Sequence, residues 1–202
     1  MSFSNYTGLI AAVADYLERD DLTSQVADFV VLGEARIKRD IRIREMLTRA
    51  ALTVNARQIS VPTGLLQADT IRLLTDPVTV LQELPLFEMN RVRDAGTGKP
   101  AYFTIHKEIE FNVTPDSSYS GEIVYYAAFD PLTTTATNSL LSLAPDVYLY
   151  SSLLAAAPFL LDDARVQLWA ELYKEAKDSL NQMSHRQRHV GPLVSRVVGR
   201  GP

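Results

Sequence analysis

Leu47-Thr48-Arg49-Ala50-Ala51-Leu52-Thr53-Val54 is the stretch on which the reading of the fold turns. Before it, apolar residues recur at helical spacing; from about Met46 to Asp130 that period is gone. Further short runs of strand character follow: Gln58–Val61, Thr70–Leu74, Val78–Leu81, Ala101–Ile105, Glu108–Val113 and Glu122–Ala128. Turn chemistry separates them, at Pro62-Thr63-Gly64, Asp76-Pro77, Gly96-Thr97-Gly98 and Pro115-Asp116-Ser117-Ser118. Leu86–Arg93 has room for one short helix. The section reads as an antiparallel sheet inserted between helix pairs.

Outward from this section the period is helical. Tyr6–Leu17 carries Leu9, Val13, Tyr16 and Leu17 on one stripe, with Asn5 or Ser4 as cap. Thr23 is a good cap for a second helix, whose face holds Val26, Phe29, Val30, Gly33, Ile37 and Ile41. A mid-helix glycine costs ~1 kcal/mol, so Gly33 on that face predicts close contact with a neighbouring helix. Past the polar loop Thr133–Asn138, Pro145 suits the first turn of a helix running towards Pro158. Asp162 or Asp163 then caps a last long helix bearing Val166, Trp169, Tyr173, Ala176 and Leu180. The expected class is α+β. Helices of residues 1–45 and 133–183 form a bundle, residues 46–132 an inserted antiparallel β-region, and residues 184–202 an extended basic C-terminal arm.

The length of 202 residues fits one domain, or one domain with an insertion. The apolar fraction of 47% and charged fraction of 22% are ordinary for a globular chain, so a core of normal size needs no staples. There is no cysteine, which excludes disulfides and thiolate metal sites. A net charge of −4 is not the basic footprint of a protein that grips phosphates. The charge is uneven, however: after Asp178 there is no acidic side chain, and Arg186, Arg188, Arg196 and Arg200 follow. The apolar stretch Val147–Leu161 contains Tyr, Ser and Pro158 and falls short of the ~18 residues that span a bilayer, so it reads as a buried helix. The first eight residues lack Lys and Arg, and the apolar run Leu9–Ala14 is closed by Asp15, which does not make a signal peptide.

No chemical motif stands up to inspection. His185 and His189 have i,i+4 spacing but sit among arginines, which repel a cation. His106 stands between two β-like runs, at a hairpin turn. Ala95-Gly96-Thr97-Gly98-Lys99-Pro100 has Pro100 and a strand where a phosphate loop needs Ser or Thr and a helix. Asp20-Asp21 and Asp162-Asp163 stand where helix starts are expected, and capping explains them. Tyr125, Tyr126, Tyr148 and Tyr150 read as core or interface rather than as base-stacking platforms. Arg36, Lys38, Arg39, Arg42 and Arg44, interleaved with Glu34, Asp40 and Glu45, make either a solvated face with local ion pairs or a surface for DNA or an acidic partner. In the tail, Val190, Leu193, Val194, Val197 and Val198 recur at i, i+3, i+4, i+7 and i+8. A helix of two or three turns does not hold in water, so this apolar face needs a partner; an extended docked strand is the alternative.

Two blocks carry a resemblance. One runs from Gly98-Lys99-Pro100-Ala101-Tyr102-Phe103 through Ile109, Phe111, Pro115-Asp116 and Tyr119 to Ile123, Tyr125 and Tyr126. The other joins Asn138-Ser139-Leu140-Leu141, Ala144-Pro145-Asp146-Val147-Tyr148-Leu149-Tyr150, Ala156-Ala157-Pro158-Phe159-Leu160, Asp162-Asp163 and Trp169. With the helix pair around Glu34-Ala35-Arg36-Ile37, they resemble the head-to-tail adaptor (connector) proteins of tailed, podovirus-like phages. One departure is Ser139, where the resemblance leads one to expect proline.

The resemblance implies a virion protein, made in the host cytoplasm, that sits at the head-tail interface. It implies a ring, usually of twelve copies, beneath the portal protein, with a tail nozzle or tail-hub protein docked to it and double-stranded DNA passing through. The arm residues Arg186, Arg188, Val190, Leu193, Val194, Arg196, Val197, Val198 and Arg200 are then the portal-binding segment, and Arg36, Lys38, Arg39, Arg42 and Arg44 a channel or partner surface. No enzyme activity, cofactor or membrane is expected. The competing readings are a wall-degrading hydrolase of the phage tail, which a deep pocket with two close carboxylates would favour, and a DNA-binding module, which salt-sensitive binding would favour.

Overall fold

The computed structural model describes residues 4–22, 24–160 and 164–188. The Asn5 side chain accepts a hydrogen bond from the Gly8 N–H and starts α1 (Tyr6–Leu17). The helix ends at Glu18, which adopts the left-handed conformation at φ 53°. After a 3-10 turn at Asp20–Leu22, α2 runs over Val26–Asp40; the cap expected at Thr23 lies outside the described residues. A 3-10 turn at Arg44–Met46 leads into β1 (Leu47–Val54). There follow β2 (Gln58–Ser60), β3 (Leu65–Leu73), β4 (Thr79–Glu83), α3 (Leu86–Val92), β5 (Tyr102–Ile105), β6 (Glu108–Phe111) and β7 (Tyr119–Ala127). The chain ends in α4 (Ser139–Leu143), α5 (Pro145–Ala156) and α6 (Arg165–Arg188); the caps expected at Asp162 or Asp163 are outside the described residues.

The expected bundle with an inserted antiparallel β-region is not what forms, and the expected extended arm from residue 189 on lies outside the described residues. The chain is α+β, with a seven-stranded mixed sheet curled into a half-barrel. The strand order is β1-β7-β3-β4-β5-β6-β2. The other neighbours are antiparallel, but β4 and β5 pair in parallel, Gln82 with Tyr102 and Glu83 with Phe103. Parallel neighbours need a crossover of a dozen or more residues. The segment between Glu83 and Tyr102, with α3 in it, is that crossover. The short helix at Leu86 was legible; its role as a crossover was not, because pairing direction leaves no mark on local pattern.

The sheet also has its own core and is not an appendage. Leu52, Val54, Ile71, Leu73, Leu81, Phe103, Ile109, Phe111, Ile123 and Tyr125 form one apolar cluster. The register puts Ile71 opposite both Ile123 and Leu81, and Phe103 opposite Phe111, so these residues share one face.

The helices build a second cluster around α5. That helix is apolar nearly all round, as a fully buried helix must be. Val147, Tyr148, Leu149, Leu153 and Leu154 are buried on it, and α1, α2, α4 and α6 all touch it. Its buried Ser151 and Ser152 hydroxyls donate back to the Tyr148 carbonyl at 3.0 and 2.8 Å. Val26, Phe29, Val30 and Ile37 of α2 share this cluster with Trp169 and Tyr173 of α6. So do Met46 and Tyr126 from the sheet side, with Leu47 and Leu66 packed against them. The helical core is therefore closed partly by the opposite face of the sheet, which is why no free-standing bundle exists.

The arm expected from residue 184 does not start there. The α6 helix continues to Arg188, and Ser184 is buried, its hydroxyl accepting from the Arg44 backbone N–H at 2.7 Å. The acidic and basic residues from Glu171 to Arg186 keep the outer face of α6 polar on both sides of Ser184, so the helical pattern has no stop there.

Candidate partner-binding surfaces

The five residues of the expected basic surface lie at the C-terminal end of α2 and just beyond it. There the last carbonyls of a helix attract cations. Arg42 uses this directly: its Nη1 donates to the carbonyls of Lys38 and Ile41 at 2.7 and 2.6 Å. Arg36 is half-buried, with its guanidinium carbon 6.0 Å from the Tyr173 ring centre. The Tyr173 hydroxyl donates to Asp40 Oδ2 at 3.0 Å, and burial together with that carboxylate pushes its pKa above the usual tyrosine range. Lys38 is half-buried, while Arg39 and Arg44 keep exposed side chains. The stretch thus divides into side chains that fasten α2 to α6 and side chains that face solvent.

Of the expected arm residues, Arg186 is exposed in the last turn of α6 and Arg188 is the final residue of that helix. Val190, Leu193, Val194, Arg196, Val197, Val198 and Arg200 lie outside the described residues, as does His189. His185 lines a cleft with Asp40, Arg42, Asn181 and Ser184. Among the described residues no group of three or more His, Cys, Asp or Glu is placed to hold a metal ion.

His106 sits in the tight turn between β5 and β6, as its flanking runs predict, but it has company. Its Nδ1 accepts from the Lys107 N–H at 2.7 Å and its Nε2 lies 3.2 Å from Glu110 Oε2. Glu110 is buried, and its other oxygen is held by Arg93. This carboxylate escaped the sequence reading. Its cation is 17 residues away in sequence, and alternation alone placed Glu110 at an ordinary strand position. The Gly96–Lys99 turn is bridged to Thr114 and leads into β5, and the Lys99 ammonium donates to Thr75 Oγ1 at 2.9 Å. Tyr125 belongs to the sheet core and Tyr126 to the helical core. Tyr148 is buried, its hydroxyl accepting from Asn138 Nδ2 at 2.7 Å, and burial raises its pKa.

One buried acid remains. Glu34 is 6% exposed on α2, and its Oε1 accepts the Leu132 backbone N–H at 2.9 Å. Burial raises its pKa above the ordinary glutamate value; the Leu132 hydrogen bond and Lys38 oppose the shift without cancelling it. It ties the end of the sheet region to the helical layer.

What the surface does offer is apolar. Leu74, Val78 and Val80 are exposed around the β3–β4 turn, and Leu86 and Phe87 on α3. Tyr16 and Leu168 flank a shallow groove between α1 and α6, with Asp15, Glu18 and Arg165 at its rim. Large exposed apolar side chains in groups mark contact surfaces. Arg49 and Arg72 meet Glu122 across three strands at 3.3 and 2.9 Å and keep the intervening sheet face polar.

Several titratable side chains, Glu34, Asp40 and Glu110 among them, are engaged with the chain's own fold, and apolar surface is left uncovered on the β3–β4 turn, α3 and the α1–α6 groove. The chain belongs to the SU10 adaptor protein family, whose model it matches over residues 4–196. That is a family of phage head-tail adaptor origin, structural rather than catalytic, and its members are virion components that associate with other head or tail proteins. No match was found among curated proteins. No helix among the described residues is long and apolar enough to cross a membrane.

Proposed function

We propose that this chain is the head-to-tail adaptor of a tailed phage. Copies form a ring of twelve beneath the portal protein, prolong the DNA channel and give a tail nozzle or tail-hub protein its platform. The family match across residues 4–196 carries this reading. The arm carries Arg186, Arg188, Val190, Leu193, Val194, Arg196, Val197, Val198 and Arg200 and attaches the subunit to the portal. Its arginines steer it to an acidic surface, and its apolar residues are buried on arrival. Of the basic stretch, Arg39 and Arg44 have exposed side chains and are the ones that would meet a neighbour or passing DNA. A net charge of −4 keeps the channel wall from gripping the DNA that must move through it.

The test is assembly. The purified chain is mixed with portal rings and imaged by cryo-electron microscopy, with the chain alone as control. Twelvefold density beneath the portal is the expected result. A chain that leaves the portal bare, or that shows turnover of cell-wall substrate abolished by changing Glu34 or Glu110, removes the adaptor reading in favour of the tail hydrolase.

A further inference from the structure

α2 carries two apolar stripes, and the fold covers one of them. Val26, Phe29, Val30, Gly33 and Ile37 are buried on the side that packs on α5. On the opposite side Val31 and Leu32 are exposed, Leu32 by 55%, and Ala35 is half-buried one turn on. Positions 28, 31, 32, 35 and 39 share one face of a helix. Asp28 and Arg39, both exposed, stand at the two ends of that stripe. A helix with apolar residues on two opposite faces belongs between two layers. Among the described residues, α2 has such a layer on one side alone.

A second uncovered surface has the complementary shape and charge. The groove between α1 and α6 is lined by buried Trp169 and by the exposed Tyr16 and Leu168, Leu168 by 53%. Asp15 and Glu18 stand at its α1 side. Glu171 and Glu175 are exposed three and seven residues beyond Leu168, on the same face of α6. The cation of this groove, Arg165, is turned onto its own fold. Its Nη1 donates to the Tyr16 carbonyl at 3.2 Å and lies 3.7 Å from Glu18 Oε2, and its guanidinium carbon is 5.4 Å from the Trp169 ring centre. The α2 stripe, by contrast, ends in Arg39, and Arg44 is exposed just past the helix. A convex apolar ridge with cations at one end matches a concave apolar groove edged by acids.

The two surfaces cannot meet within one copy, because α2 has its other face packed on α5. An α2–α2 pair about a two-fold axis would cover the stripe, leave the groove open and stop at a dimer. Joining the unlike surfaces covers both in every copy and repeats head to tail until a ring closes. We propose that Val31, Leu32 and Ala35 of α2 seat in the α1–α6 groove of the next copy, with Arg39 at its acidic rim. This contact rests on the reading of the chain as a ring-forming adaptor and deepens it: Arg39 serves a neighbouring subunit rather than DNA.

The experiment uses the full chain, which has no cysteine of its own. Leu32→Cys and Leu168→Cys chains are treated with a short bis-maleimide, singly and mixed, both as concentrated free protein and on portal rings. Mixed dimers are expected at a yield at least tenfold above that of either chain alone. Leu32→Cys chains that link to one another as well as to Leu168→Cys chains assign the stripe to a two-fold pair and overturn the proposal. The absence of mixed dimers in both settings overturns it too, whether or not density appears beneath the portal. Mixed dimers in the free protein beside a bare portal strike the portal reading alone. As a second arm, Leu32→Glu and Leu168→Glu should each lower assembly at least tenfold with the melting curve unchanged. Assembly at the native level in both variants overturns the proposal.

Discussion

Gly33 sits where α2 passes closest to α5. A Cβ added there would lie 2.9 Å from Ser151 Oγ and 3.0 Å from the Ser152 backbone nitrogen. Backbone cannot yield as a side-chain tip can, so the overpacking cost of about 1–3 kcal/mol outweighs the ~1 kcal/mol of helix propensity that alanine gains. Gly33→Ala is expected to lower the urea midpoint with m unchanged; an increase in midpoint would mean the helices can part without penalty. Glu34, one residue on, makes a pH-dependent contribution. Its folded pKa is raised above 4.5 by burial, so between those two values the native state binds more protons than the unfolded state. Stability from this group is fully present below about pH 4.5 and is lost as pH rises through the folded value. Glu34→Gln keeps an acceptor for Leu132 and removes the ionisation, and should flatten the stability profile across that window. Glu34→Ala leaves the Leu132 N–H buried without its acceptor and should cost about 1–3 kcal/mol. Equal pH slopes in the Glu34→Gln variant and the native chain would show that Glu34 titrates normally.

Among the elements, α1 and β1 have the limits their own residues dictate, Tyr6–Leu17 and Leu47–Val54, because a capped stripe and a strand-like run are local signals. The order of the sheet was not legible. β1 pairs with β7 some seventy residues away, and β4 runs parallel to β5, which no run of residues reveals. The same holds for the candidate surfaces. The density of arginine after Glu34 could be read, but that Arg42 would turn back onto the end of α2 depended on where the chain bends at Ile41. That Ser184 would be buried against Arg44, 140 residues earlier, has no local signal either. Two aromatic side chains, one on a long helix and one on a short helix, separate packing from contact. Trp169 is buried on α6, and Trp169→Ala should cost about 3–5 kcal/mol by denaturant unfolding. Phe87 on α3 is 64% exposed, and Phe87→Ala should change stability by less than about 0.5 kcal/mol. A pull-down in which Phe87→Ala loses a head or tail protein while its melting curve is unchanged would identify α3 as a contact surface; a large loss of stability would show that it is packing.

For the whole molecule, two apolar clusters share one sheet, and only one of them can be completed early. The residues of the sheet core end at Tyr125, whereas the helical core needs Leu9 and Val30 together with Leu153, Trp169 and Leu180. On a ribosome the half-barrel can close while the C-terminal helices are still unmade. Until α5 emerges, α1 and α2 have no central helix to lie on, and the buried face of Tyr126 looks into water. Contacts of such separation close slowly, so the growing chain spends its longest exposed interval with the N-terminal helices unattached. A ribosome-stalled series should show the sheet resisting protease once about residue 127 has cleared the tunnel. Residues 6–40 should resist only after about residue 180 has done so. Protection of both together would mean that the two layers fold as one. A host chaperone that waits on the nascent adaptor would accordingly find its binding site at the start of the chain, not at the segment most recently made.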